Sequence, residues 1–130
     1  AHKIAAGSNV KLNLGNVNII RDWGWAEEYV EAAWMMLNRE NPDDFIIATG
    51  VSQSLWDLAN DIFLQAGLEL DRYLNIDKSL FRSSEPASVK ADISKVKKHL
   101  PWHPKSYGKA IAKKIYLDSV KVSNMDDNYD

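Results

Sequence analysis

LNLGNVNIIRDWGWAEEYVEAAWMML, residues 12–37, changes its apolar period halfway along. In the first half, Leu12 and Leu14 precede Gly15-Asn16, and Val17, Ile19 and Ile20 follow. Loose alternation around two residues that tolerate positive φ predicts two short strands about a turn. In the second half, Ala26, Tyr29, Val30, Ala33, Trp34 and Leu37 recur at helical spacing and form one apolar stripe. Glu27, Glu28 and Glu31 lie off the stripe near the helix start, where the backbone dipole favours acids. Strand followed directly by amphipathic helix makes the chain a mixed α/β protein.

The flanks repeat this grammar. Ala1 to Gly7 read as the tail of a helix, and Asn41-Pro42-Asp43-Asp44 as a loop. Phe45 to Thr49 is a short apolar run closed by Gly50, the pattern of a buried strand. Ser54 and Asp57 form a capping pair for a second helix carrying Leu55, Leu58, Ala59, Ile62, Phe63 and Ala66, with Gly67 placed to end it. Tyr73, Leu74 and Ile76 suggest another strand, and residues 82–91 are polar and extended. Asp92 can cap a short helix that turns Ile93, Val96 and Leu100 inward before Pro101 stops it. A last helix is expected from Ser106 to about Val120, making about four helices in all. Residues 1–122 thus form one domain, and 123–130, polar and acidic, are expected to be a disordered tail.

Composition narrows the function classes. With 45% hydrophobic and 26% charged residues the chain is globular in character. A net charge of −2 gives no electrostatic footprint for nucleic acid, so none is expected as a partner. No apolar run approaches the ~20 residues that span a bilayer, so no membrane is expected either. Without Cys there is no disulfide, thiolate metal site or thiol nucleophile, and a cytoplasmic setting is the default. His2, His99 and His103 are isolated, without metal-ligand spacing, so no metal site is expected. Lys95, Lys97, Lys98, Lys105, Lys109, Lys113 and Lys114 read as solvated helix faces, because no aromatic ladder interleaves them. Trp34, Met35 and Met36 read as core.

The run Leu14-Gly15-Asn16-Val17-Asn18-Ile19-Ile20-Arg21-Asp22-Trp23-Gly24 resembles a signature of GDP-mannose 4,6-dehydratases, members of the extended short-chain dehydrogenase/reductase group. The likeness continues through Glu28–Leu37 and Pro42–Gly50. Phe81-Arg82-Ser83-Ser84-Glu85 is similar to the family's Arg-Pro-Thr-Glu, and Leu100-Pro101-Trp102-His103-Pro104 to its Leu-Gly-Trp-x-Pro. The ordered series covers nearly the whole chain. Ser83 stands where the family has Pro, Pro101 where it has Gly, and Lys109 where a capping Glu is common.

The resemblance implies the C-terminal, substrate-binding portion of an extended Rossmann-type enzyme. Such an enzyme oxidises the sugar of GDP-mannose at C4 with NADP, eliminates water across C5 and C6, and returns the hydride to C6. Arg21 and Arg82 fall on the family's substrate-phosphate positions, and an Arg fork suits a diphosphate. Glu85 would accept from a ribose hydroxyl or a base N–H, Asn16 would offer its amide, and Lys3 would approach the nucleotide. Asp22 would orient Arg21, with Trp23 buried beside it. Residue by residue, Arg21 paired with Asp22 and Arg82 paired with Glu85 would also make ordinary surface ion pairs.

The sequence has no glycine-rich loop between strand and helix and no Tyr-x-x-x-Lys, so no catalytic or NADP-binding residue is expected here. Partners implied are a GDP-sugar and the dinucleotide-binding half of the parent enzyme. Without that half, an apolar face around Val17, Ile19, Trp23 and Trp25 is expected to lie open and to drive self-association. Alternatives are another NDP-sugar epimerase or reductase of the same group, or a non-catalytic binding or assembly module.

Overall fold

Two short ladders form where the Gly-Asn turn alone suggests neighbouring strands, and the residues on either side of that turn join different sheets. The computed structural model describes residues 1–126, with side-chain burial through Ser123. After α1 (His2–Ala5), strand β1 (Leu12–Leu14) runs to the turn and β2 (Ile20–Asp22) leaves it. β1 pairs in parallel with β4 (Leu74–Ile76), Leu12 opposite Leu74. β2 pairs antiparallel with β3 (Ser52–Ser54), placing Arg21 opposite Gln53. The turn between them is closed by the Asn18 amide donating to Asn16 Oδ1 at 3.0 Å, which carries the chain across from one ladder to the other.

Helix α2 (Ala26–Leu37) follows β2, and α3 (Leu55–Gln65) starts directly from β3. The expected capping box is present: Ser54 Oγ accepts from the Asp57 amide at 3.0 Å while the Asp57 carboxylate accepts from the Ser54 amide at 3.3 Å. At its other end Gly67 takes φ +69°, and the Gly67 and Leu68 amides donate to Leu64 and Phe63 carbonyls, a left-handed glycine stop. α4 (Ser94–His99) begins where Asp92 Oδ1 accepts from the Ser94 amide, and buries Val96 with flanking Ile93 and Leu100. α5 (Lys109–Asp126) starts three residues later than its sequence predicts, because Gly108 sits at φ +53° outside the helix. It also runs on past Val120, so residues 123–126 of the expected tail are helical; residues 127–130 lie outside the described ones.

Three apolar clusters hold these elements. Phe63, Ala59, Ile4 and Leu70 form one with the β1–β4 ladder. Leu58, Ile111 and Ala112 form a second between α3 and α5, with Trp23 and Trp25 packed against it. Trp102, Val96, Ile93, Leu100, Ala48 and Ala32 form the third, under α2.

Two expectations are corrected by α2. Its apolar stripe faces outward: Val30, Trp34 and Leu37 are 68%, 64% and 85% exposed, so Trp34 is not core. The buried face is Glu28 and Ala32, with Tyr29, Met35 and Met36 half-buried. The Trp102 indole N–H donates to the Glu28 carbonyl at 2.8 Å, and the Glu28 carboxylate accepts from the Lys105 and Ser106 amides, the Ser106 hydroxyl and the Lys114 ammonium. A carboxylate with so many buried donors fixes the rotation of the helix more firmly than an apolar stripe that has nothing to pack on. The α2 stripe is accordingly an open apolar surface. Val17, Ile19, Trp23 and Trp25, where the sequence suggested it, are half-buried.

Phe45 to Thr49, expected to be a buried strand, forms no ladder. Residues 45–48 make no backbone hydrogen bond to any described residue. Phe45, Ile47 and Ala48 pack on the third cluster, and Ile46 points outward, 57% exposed.

Candidate functional site

A cleft of about 490 Å³ opens beside the Gly15-Asn16 turn and is lined by Arg21, Arg82, Glu85, Asn16, Asp22, Trp23 and Leu80, among others. Gly15 is what permits it. A Cβ there would meet the Leu80 carbonyl oxygen at 3.0 Å, so glycine lets the 78–82 segment lie close against the turn, and a larger residue would push it off by a few tenths of an ångström. That segment is stiffened by Asp77, which accepts from the Ser79 amide and hydroxyl, and the Asp77 amide donates to Leu14. Further on, the Ile20 amide donates to the Ala87 carbonyl and the Val89 amide to the Ile20 carbonyl, laying residues 82–89 along β2. Arg82 and Glu85 thereby reach Arg21 from 61 and 64 residues away in the chain.

The side chains then arrange themselves by charge. Arg21 donates through Nη1 to the Ile20 carbonyl at 2.8 Å and through Nη2 to Glu85 Oε1 at 3.3 Å. Both partners are about one-fifth exposed, which screens this pair less than an open surface pair. Arg82 is exposed and makes no hydrogen bond or ion pair among the described residues. The pairing therefore differs from both surface-pair readings: Glu85 takes Arg21, and Arg82 is left to a ligand or solvent. Asn16 spends its carbonyl on the turn and keeps its amide N–H groups available.

Asp22 does not orient Arg21 through a hydrogen bond. Its Oδ1 accepts from the Thr49 amide and hydroxyl at 2.9 and 2.8 Å, and its Oδ2 from the Gly50 amide at 2.7 Å. Beside it, burial first, then the Asp22 and Glu28 charges and hydrogen bonding to Asp22, push the Tyr29 phenol up to about 12, so it stays protonated. Trp23 lies next to Arg21 as expected, half-buried, its indole N–H donating to the Gln53 carbonyl at 3.3 Å. Lys3 is not brought to the cleft. It lines a separate hollow of about 280 Å³ with His2, Val10, Lys11 and Ser119.

A second cleft of about 500 Å³ lies near Thr49, Lys97, His103 and Tyr107. It is as large as the first, but no pair of fixed cations converges in it, and recognition of a diphosphate needs them. Glu28 and the Asp22–Thr49–Gly50 contacts are the residues that sequence reasoning missed. Periodicity carries no signal for either, because each joins segments distant in the chain. Among the described residues no group of three His, Cys, Asp or Glu could hold a metal, and no helix is long and apolar enough to cross a membrane.

Comparison with known proteins gives the family and the fold. The sequence model of the family described as GDP-mannose 4,6 dehydratase matches residues 1–115. The chain is 43% identical over 103 residues to GDP-mannose 4,6 dehydratase 1 of Arabidopsis thaliana, covering 79% of this chain and 28% of that protein. It is 31% identical over 134 residues to the Homo sapiens GDP-mannose 4,6 dehydratase, covering 89% of this chain and 36% of that protein. The sequence thus spans roughly a third of its relatives' length. Two solved structures share the fold. RMD from Pseudomonas aeruginosa complexed with NADPH superposes with a TM-score of 0.75 at 19% identity, over 89% of this chain and 38% of that one. UDP-glucose 4-epimerase from Bifidobacterium longum, in complex with NAD+ and UDP, gives 0.76 at 17% identity, over 94% and 38%. With the ordered sequence signature, an α/β fold shared with nucleotide-sugar enzymes and a family match over most of its length, the chain belongs to the GDP-mannose 4,6 dehydratase family.

Proposed function

We propose that this chain is the substrate-holding portion of an enzyme that converts GDP-mannose to GDP-4-keto-6-deoxymannose, and that it is inactive alone. The observation that carries the reading is the convergence of Arg21 and Arg82 on one cleft, with Arg82 unpaired among the described residues. Two guanidinium groups can neutralise a diphosphate and fix its orientation through paired N–H donors. Glu85, displaced from Arg21 by the phosphates, would accept from a ribose hydroxyl or a base N–H, and the Asn16 amide would donate from the cleft's edge. Lys3 would join only from a different position of α1.

NADP, which supplies the hydride transfers of this reaction class, has no fitting cradle in these residues. Gly15 leads into a turn and Gly50 into β3, while Gly24, between β2 and α2, stands alone and lies against the Tyr29 hydroxyl, without the further glycines that a pyrophosphate cradle needs. No Tyr-x-x-x-Lys supplies a base. Both tasks belong to a dinucleotide-binding portion outside this sequence, in a cytoplasmic lyase. The unpaired backbone of 45–48 and the uncovered α2 stripe support a large surface awaiting that portion. In its absence the same surface would drive self-association.

The decisive experiment is titration of GDP into the full-length protein and its Arg82→Ala variant. A lost charge-assisted contact is worth ~1.5–3 kcal/mol, so affinity should fall roughly tenfold or more. An unchanged dissociation constant would return Arg82 to solvent. The isolated chain, given GDP-mannose and NADP, should form no 4-keto-6-deoxy sugar.

A further inference from the structure

β2 is three residues long, and its ladder to β3 ends at Asp22. Its other edge is bonded only at Ile20, to Ala87 and Val89, so few backbone bonds beyond Ile20 fix the direction of its side chains, yet Arg21 must aim a guanidinium at a small target. The residue that closes the strand supplies the missing restraint. The Asp22 carboxylate takes three hydrogen bonds of 2.7 to 2.9 Å from Thr49 and Gly50, on a segment whose own backbone has no ladder. Thr49 is buried, and its hydroxyl oxygen also accepts from the Val51 amide at 3.0 Å, which leads the chain straight into β3. Asp22 is therefore tied twice to the 49–52 stretch, through its carboxylate to Thr49 and Gly50 and through the β2–β3 ladder to Ser52. Gly24 allows α2 to shut over it, since a Cβ there would fall 1.9 Å from the Tyr29 hydroxyl oxygen.

We propose that Asp22 is a positioning residue for ligand binding: by clasping the Thr49–Gly50 turn it fixes the end of β2 and thereby the aim of Arg21 at a diphosphate. This rests on the diphosphate reading of the cleft. A carboxylate is needed because all three partners are donors. Asparagine at this position presents one oxygen and one NH2, and whichever way it is turned the NH2 meets the backbone N–H of Thr49 or of Gly50, which can only donate. Among the described residues Asp22 makes no hydrogen bond to Arg21 itself, so its influence on the ligand runs through the backbone of β2.

A double-mutant cycle in the full-length protein, with GDP as the probe, separates this role from general destabilisation. Arg21→Ala should weaken GDP binding roughly tenfold. Asp22→Asn should weaken it by a similar factor, and adding Asp22→Asn to Arg21→Ala should weaken it by less than about twofold more. Factors that multiply, or an Asp22→Asn protein that binds GDP as the parent does, would overturn the clasp while leaving the cleft intact. Unchanged binding in Arg21→Ala would overturn the diphosphate reading and the clasp with it. If Asp22→Asn does not fold, Thr49→Val removes one of the three donors at nearly constant shape and should show a smaller loss with the same non-additivity.

Discussion

Helices α2 and α3 carry the same kind of sequence pattern and meet opposite fates. The α3 stripe is covered: Phe63, Leu58 and Ala59 are 2%, 5% and 7% exposed, packed between α5 and the β1–β4 ladder. The α2 stripe is bare, and that helix is held by its other face, through Ala32 and the buried Glu28 carboxylate. An amphipathic period therefore says that a helix has a face to bury, and nothing about whether the partner lies within the same stretch of chain. The bare stripe and the ladderless 45–49 segment are neighbours in sequence.

The contrast is sharpest in a pair of deletions. Phe63→Ala should destabilise this chain by about 3–5 kcal/mol, the range for emptying a buried aromatic site. Trp34→Ala, a deletion of a larger ring on α2, should change stability by no more than about 0.5 kcal/mol, as exposed positions do. Urea unfolding of the two variants measures both. A loss of several kcal/mol at Trp34 would mean that the α2 stripe is already covered in solution.

Glu28 tests how α2 is held instead. Burial raises its carboxyl, but hydrogen bonds from Ser106, Lys105 and Lys114 outweigh burial and hold it down at about 2, against an ordinary 4.5. A depressed folded-state value contributes stability that is present above pH 4.5 and is lost as pH falls toward 2. At ~1.4 kcal/mol per unit this amounts to about 3 kcal/mol. Glu28→Gln should remove it at neutral pH and flatten the acid limb of the stability curve. An acid limb unchanged in the variant would assign it to other carboxyls.

The smallest effect concerns association. A bare apolar stripe should make the isolated chain self-associate, and Leu37→Glu, on a residue 85% exposed, should weaken that association without altering the fold. Sedimentation over a hundredfold concentration range, with circular dichroism as the control, reads both. A parent chain that stays monomeric throughout would show that the stripe needs no cover.

Local chemistry was legible wherever a few adjacent residues suffice. Ser54 with Asp57 announced the start of α3, Gly67 its end, and Leu74–Ile76 a strand, because capping and glycine stops involve near neighbours. Through resemblance the sequence also nominated Arg21, Arg82, Glu85 and Asn16, which the fold gathers at one cleft, and Lys3, which it leaves elsewhere. The sequence by itself determined the main helices, the charges available for binding and, through resemblance, the family, but it gave no sign of β3 and made 45–49 a strand that forms no ladder. The tertiary structure alone decided which face of α2 turns inward, that Glu85 takes Arg21 and leaves Arg82 open, and that Asp22 holds Thr49 and Gly50. Each of these joins groups 27 to 86 residues apart, so that the outcome depends on which donors and acceptors can be satisfied together in three dimensions, a condition that no local pattern encodes.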